Sequence, residues 1–265
     1  MPSVSNIAIG ANMAAAAATK ARHGMNESIA RLSTGIRAMY GGDAAGHSVG
    51  TTMQAQSASF GQAARNVEDG ISYAQMGESV LLEVANLATR LRELGIAFDN
   101  AALLDANQEA ALTAEAALIG DTIKSLVENT KFNTIAVVGT ASATQQTVNF
   151  AALTANTTEV GPNVSITATH TISTADGADG NADTTLAEVA KGLGNIAADL
   201  TALKSFQAAA AATSANMAAA GARLIDTDFA LETANLTKSA ILNQAALAMA
   251  AQANQAQSAI LSVLQ

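Results

Sequence analysis

The sequence has no cysteine, two prolines, and aromatics at only 3% of its 265 residues. Without cysteine, disulfides and thiolate metal sites are excluded. The prolines are Pro2 and Pro162, so the residue that most disrupts helices is missing from the rest of the chain. Positive charge is also scarce. Thirteen Lys and Arg against 22 Asp and Glu give a net charge of -9. A phosphate-binding surface needs clustered cations, so no nucleic-acid partner is expected. No run spans a bilayer: Met13 followed by Ala14 to Ala18 is too short, and no membrane partner is expected. Residues 1–19 carry no charged side chain, so the positive region that opens a signal peptide is missing. Export, if it occurs, is expected without a conventional cleaved signal.

Alanine fills the space that aromatics leave, since 49% of the chain is still hydrophobic. Alanine is the best helix former, because it loses no side-chain entropy and buries no polar group. The expectation is a mainly α protein with closely packed helices. Ile7, Ala11, Ala14, Ala18, Ala21, Met25, Ile29, Leu32 and Ile36 fall at steps of three and four, a single helical stripe that Gly41 and Gly42 would break. Val80, Val84, Leu87, Leu91, Leu94 and Phe98 form a second stripe, ending at Asp99-Asn100. Leu112, Ala116, Ile119, Ile123 and Leu126 form a third.

From Phe132 to Ala190 there is no Lys or Arg. Within this Thr-, Asn- and Gly-rich stretch, Val164, Ile166, Ala168, His170 and Ile172 alternate with Ser and Thr, the period of a half-buried strand. Val148 and Phe150 are candidates for a partner strand, and Asp176 to Asp183 reads as a loop. Helix is expected to resume near Thr185. Ile196, Leu203, Ala210, Met217, Leu224 and Leu231 then hold a period of seven, the spacing that keeps one seam facing a partner helix.

The final segment has no charge after Lys238. Leu242, Ala246, Met249, Ala253, Ala256, Ile260 and Leu264 form its stripe, with Asn and Gln supplying neutral polarity. Exposed helices usually carry Glu and Lys, while buried unpaired charge is costly. Two uncharged amphipathic ends therefore read as assembly elements.

Catalytic and metal-binding patterns are weak. His23, His47 and His170 are scattered and form no HExxH. Asp176, Asp179 and Asp183 lack EF-hand spacing. Gly46-His47-Ser48-Val49-Gly50 matches GxSxG by letter, but a nucleophile elbow needs a preceding strand, which Gly41 to Ala45 does not make. No P-loop occurs. No enzyme activity and no cofactor are expected.

Several elements together resemble the bacterial flagellins. Arg31-Leu32-Ser33-Thr34-Gly35 resembles their RLSSG element and Asp43-Ala44-Ala45-Gly46 their DDAAG segment. Arg65 to Ser72 is similar to RNANDGIS, and Arg90-Leu91-Arg92-Glu93-Leu94 to RVREL. Thr130-Lys131-Phe132-Asn133 resembles TQFNG, Ala251 to Gln255 resembles AQANQ, and Leu261 to Leu264 the closing SLL. Tyr40 to Gly42, Gly95, Phe98 and Thr134 depart from the family pattern.

The resemblance implies long antiparallel helices forming a coiled-coil rod, with a small β-hairpin region in the central segment. Terminal helices 1–42 and 232–265 would form a filament core, packed through Ile7, Ala11, Ala14, Ala18, Leu242, Met249, Ile260 and Leu264. Residues 43–231 would form an outer helical domain with a short β/loop segment at about 133–184. The implied function is a secreted, extracellular subunit that polymerises into the flagellar filament for swimming. A hook-filament junction protein is the alternative. Implied partners are other copies of the chain, an export chaperone at the C-terminal helix, hook-associated and cap proteins, and the animal Toll-like receptor for flagellin. Arg90, Leu94 and Glu115 are the implied subunit-packing or receptor-contact residues.

Overall fold

The computed structural model describes residues 2–37, 43–138, 146–149, 157–162, 175 and 177–263. Its elements in chain order are α1 (Pro2–Thr34), α2 (Ala44–Phe98), a 3-10 turn (Ala101–Leu103), α3 (Ala106–Asn129), β1 (Lys131–Phe132), β2 (Ile135–Ala136), β3 (Gln146–Asn149), β4 (Thr157–Val160), α4 (Ala178–Ile225) and α5 (Phe229–Val263). The fold is mainly α with two small antiparallel hairpins. The chain divides into one unit of Met1–Ala55 with Met217–Gln265 and another of Gln56–Asn216.

In the first unit α1 and α5 pack along one another. Arg31 meets Glu232, Gly24 meets Ser239, and Gly10 shares a groove with Ala253. Numbers fall on α1 as they rise on α5, so the pair is antiparallel. α1 stops at Thr34, not at Gly41. Gly35 adopts φ +71 and donates its amide to Arg31 O at 2.8 Å, a left-handed helix end that suits glycine. Ile36, read above as part of the helical stripe, instead bridges Asp226: Arg37 N donates to Ile225 O at 2.7 Å and Thr227 N to Gly35 O at 2.9 Å.

α2 opens on a side-chain cap. Asp43 Oδ1 accepts from Gly46 N at 2.8 Å, and Asp43 Oδ2 lies 3.1 Å from Arg37 Nη2. A Cβ at Gly46 would overlap that carboxylate. α5 is capped in the same way by Asp228, whose Oδ1 accepts from Ala230 N at 2.9 Å. The cap interrupts the seven-residue period. Met217 and Leu224 are half-buried, but Leu231, beyond the break between α4 and α5, is 62% exposed.

The second unit holds the large core. Val67, Leu81 and Val84 of α2, Ile123 and Val127 of α3, and Val189, Ile196 and Leu203 of α4 form one buried cluster with Val137, Val138, Val148 and Val160. Val80, Val84 and Leu87 of the second stripe and Ile119, Ile123 and Leu126 of the third face this core, while Leu91, Leu94, Phe98, Leu112 and Ala116 face a smaller cluster with Ala175, Ala178 and Ala182. α2 and α4 run antiparallel: Ser57 faces Ser214 and Gly77 faces Ile196. Each of the two serines donates its hydroxyl to the other's carbonyl, at 2.8 and 2.9 Å, so the backbones approach closely. α3 starts with a capping box, Asp105 with Gln108.

α4 begins at Ala178, earlier than the expected Thr185, so Asp179 to Asp183 is helical rather than loop. The reason is burial: Ala175, Ala178 and Ala182 are fully buried against Leu91, Leu94 and Ala116. Val148 does lie in a strand, β3, but its partner there is Thr158 of β4. The alternating segment 164–172 and Phe150 lie outside the described residues. Asp199 accepts from Gly161 N at 3.0 Å, and Asn195 Nδ2 donates to Pro162 O at 2.9 Å, tying the end of β4 to α4. Burial raises the Asp199 carboxyl above its ordinary value, and the Gly161 amide offsets this only in part.

The β1–β2 turn places Asn133 at φ 46 and Thr134 at φ 71. A two-residue turn with both φ positive suits Asn, whereas a β-branched Thr is strained there. Thr134→Gly is expected to stabilise the protein by about 1 kcal/mol, read from the urea midpoint at unchanged m-value.

Tyr73 joins the same hairpin to the core. Its hydroxyl donates to Ala136 O at 3.1 Å, and its ring stands edge-on to Phe132 with centroids 6.0 Å apart. Burial pushes its hydroxyl up from 10.0 to about 12. The folded state therefore holds this proton more tightly than the unfolded chain does. The resulting stability is complete below pH 10 and lost as pH rises through about 12. Tyr73→Phe should flatten that alkaline decline and cost about 1 kcal/mol at neutral pH from the lost hydrogen bond, measured by urea unfolding across the pH series.

Candidate assembly surface

α1 and α5 meet through small residues. On α1, Ala18, Ala21 and Ser28 are buried, and Ala11 and Ala14 are half-buried. On α5, Glu232 is buried, while Leu236, Asn243, Ala246, Ala250 and Ala253 are half-buried. This spacing of three and four forms a narrow seam, as two helices in close approach require. Gly24 lets the backbones draw together, since a Cβ there would come within 3.1 Å of Ser239 Oγ. Charge enters the seam at one end. Arg31 Nη1 lies 3.6 Å from Glu232 Oε1, with the Glu232 side chain only 9% exposed.

The seam uses little of the apolar surface of α5. Phe229, Leu231, Ile241, Leu242, Leu247 and Met249 are each more than half exposed. On α1, Ile9 and Met13 are exposed in the same way. α5 is thus apolar on more than one face. A patch of this kind, on a helix with no charge after Lys238, is a candidate interaction surface.

The residues expected to pack a filament core fall into three groups. Ala11, Ala14 and Ala18 face α5 within the subunit. Leu242 and Met249 point outward. Ile7 and Ile260 lie in α1 and α5 with side chains outside the description, and Leu264 lies outside the described residues. Ile241 and Leu247 were absent from the stripe read in the sequence, because a search for one helical face passes over a second.

The second unit brings Arg90 and Glu115 together. Glu115 Oε1 accepts from Arg90 Nη2 at 2.8 Å and from Nε at 3.0 Å, and Glu93 Oε2 accepts from Nη1 at 3.0 Å. These carboxylates, Glu115 foremost, raise the Arg90 guanidinium further above its already high value. Leu94 is 3% exposed and lies under the start of α4. The adjacent Gly95 is required by packing, because a Cβ there would run into the backbone of Ala178 and Asp179. Arg92 pairs with Asp183 of α4 at 2.8 Å.

Ser48 lies in the first turns of α2, exposed and within a helix rather than at a strand-to-helix turn. His23 is exposed, and His170 and Asp176 lie outside the described residues. Among the described residues no group of three or more His, Asp or Glu could hold a metal ion. No described helix is long and apolar enough to cross a membrane.

Comparison with known proteins agrees with this arrangement. The bacterial flagellin N-terminal helical region matches residues 5–139, and the flagellin C-terminal helical region matches residues 178–264. A flagellin of Halalkalibacterium halodurans is 33% identical over 245 residues, covering 88% of this chain and 89% of the relative. A flagellar filament core protein of Brachyspira hyodysenteriae is 30% identical, covering 91% and 92%. A flagellin of Bacillus subtilis is 28% identical, covering 88% and 90%. With both helical regions matched and the relatives aligned over most of their length, the chain belongs to the bacterial flagellin family.

Proposed function

We propose that this flagellin polymerises into the extracellular filament chiefly through the outward apolar residues of α1 and α5. The observation that carries the reading is the exposure of Ile241, Leu242, Leu247 and Met249, on more than one face of a helix with no charge after Lys238. In this reading residues 1–42 and 232–265 form the filament core, with Ile7, Ile260 and Leu264 extending the same packing, and residues 43–231 form the outer domain. Its work is structural rather than catalytic. Before assembly the exposed apolar residues of α5 would be covered by an export chaperone. Hook-associated and cap proteins would meet the two ends of the polymer. Negative charge gives no support to a nucleic-acid partner, and no described helix is long and apolar enough to cross a membrane.

The Arg90–Glu115 face is proposed to pack between neighbouring subunits. It is also the surface on which the animal Toll-like receptor would engage the monomer. A reporter assay with wild type, Arg90→Ala and Glu115→Ala tests the second role, and an inactive wild type would refute it.

The main test is elongation of filament fragments by purified subunit, followed by electron microscopy. Long filaments are expected. Short assemblies of a few copies would instead favour a junction protein. Deleting 240–265 should abolish both elongation and chaperone binding.

A further inference from the structure

We propose that Met13 and Met249 are a paired oxidation site, at which conversion of the two thioethers to sulfoxides blocks entry of the subunit into the filament. The inference rests on the assembly role proposed above for α1 and α5.

The chain has no cysteine, so methionine carries all of its sulfur. Met13 is 69% exposed and Met249 is 63% exposed. Met25, Met53, Met76 and Met217 are each half-buried, and Met76 packs against the large core. Access to oxidant decides which thioether reacts first, so these two are favoured among the described methionines.

The helix pairing places them together. Arg31 faces Glu232 and Gly24 faces Ser239, one residue down α1 for each residue up α5. Extending that register sets Met13 level with Ala250, one residue from Met249. Met249 also borders an open groove of about 360 Å³ with Gly10, Gln252, Ala253 and Ala256. A Cβ built on Gly10 would meet nothing within 4 Å, so the groove has space above it. The two residues therefore stand at about one height on the least charged stretch of the pair.

The chemistry is a two-electron oxygen transfer. A methionine sulfur attacks one oxygen of hydrogen peroxide. The S–O bond forms, the O–O bond breaks and water leaves, so the thioether is oxidised and the peroxide reduced. The product is a polar, chiral sulfoxide in place of an adaptable apolar side chain. On a face that assembly removes from water, each sulfoxide adds a strong acceptor with no partner. Subunits already in the filament hold these sulfurs out of reach of the oxidant. The device thus acts on free subunits and spares finished polymer.

The test treats full-length monomer with hydrogen peroxide, maps sulfoxides by peptide mass spectrometry and measures elongation of untreated filament fragments. Met13 and Met249 should oxidise first, and elongation should fall by at least about tenfold. Methionine sulfoxide reductase with dithiothreitol should restore it, the two thiols becoming a disulfide as the oxygen leaves as water. M13L/M249L, which conserves volume, should elongate at the same rate after peroxide as it does before peroxide. Unoxidised M13Q/M249Q should imitate the block while keeping the wild-type circular dichroism. Normal elongation by the oxidised wild type, or an equal loss in oxidised M13L/M249L, would overturn the oxidation site alone. Failure of untreated wild type to elongate would overturn the assembly reading, and this inference with it.

Discussion

Leu242→Asp and Leu247→Asp subunits are expected to fold normally and to form no filament. Leu242 is 51% exposed and Leu247 54% exposed, so a carboxylate at either place remains in water in the free subunit. Unfolding free energies should change by no more than about 0.5 kcal/mol. Assembly changes the surroundings of the same carboxylate. Placed between apolar helices with no cation after Lys238, it costs several kcal/mol per subunit. Each 1.4 kcal/mol is about tenfold in an equilibrium constant, so the critical concentration for growth should rise by two orders of magnitude or more. Sedimentation and electron microscopy give the yield, and circular dichroism gives the fold. Wild-type filament yield from either variant would show that its position on α5 stays in water.

Gly95→Ala should be the most damaging single methyl added to the outer helices. Alanine in mid-helix ordinarily gains up to about 1 kcal/mol over glycine. Here the added carbon would overlap the amide of Asp179 and the carbonyl carbon of Ala178. Both are backbone atoms, so no side chain can turn aside, and the first turn of α4 must move. That turn carries Ala178 and Ala182, which cover Leu91 and Leu94, and Asp183, which pairs with Arg92. A net loss of about 2 kcal/mol is expected, at the scale of overpacking costs. Gly194→Ala is the control. It also lies in α4, nothing stands within 4 Å of its added Cβ, and it should gain stability. Urea unfolding of the two variants should give opposite signs.

The same region marks what could be read in the sequence. The second half of α2 and α3 were legible because Val80, Val84, Leu91, Ile119 and Ile123 are large and fall at helical steps. The first half of α2, from Ala44 to Ser79, gave no comparable stripe. Before Val67 and Tyr73 enter the core, its contacts are made by Gly50, Ser57, Gly61 and Ala63, whose small size is what permits the close helix approach. The start of α4 was hidden for a related reason. Asp179 and Gly180 have turn chemistry, but the buried alanines around them recover the burial that makes a helix there. Gly95, a departure from the family pattern, is legible only once α4 is seen to touch it. In the candidate assembly surface, uncharged composition pointed to the two ends of the chain. One-face periodicity then selected Leu242 and Met249 and missed Ile241 and Leu247.

The short links after α1 and α4 are stitched by two backbone hydrogen bonds, Arg37 N to Ile225 O and Thr227 N to Gly35 O. Mechanically, this is a cross-tie between two load-bearing members. A pull or twist entering along α1 reaches α5 by two parallel routes, through the side-chain seam and through the tie. Backbone bonds loaded together share strain, whereas a lone link would take it all. A rotating shaft built from such subunits would store torque as small elastic shear in many ties, rather than as slippage at any single helix contact.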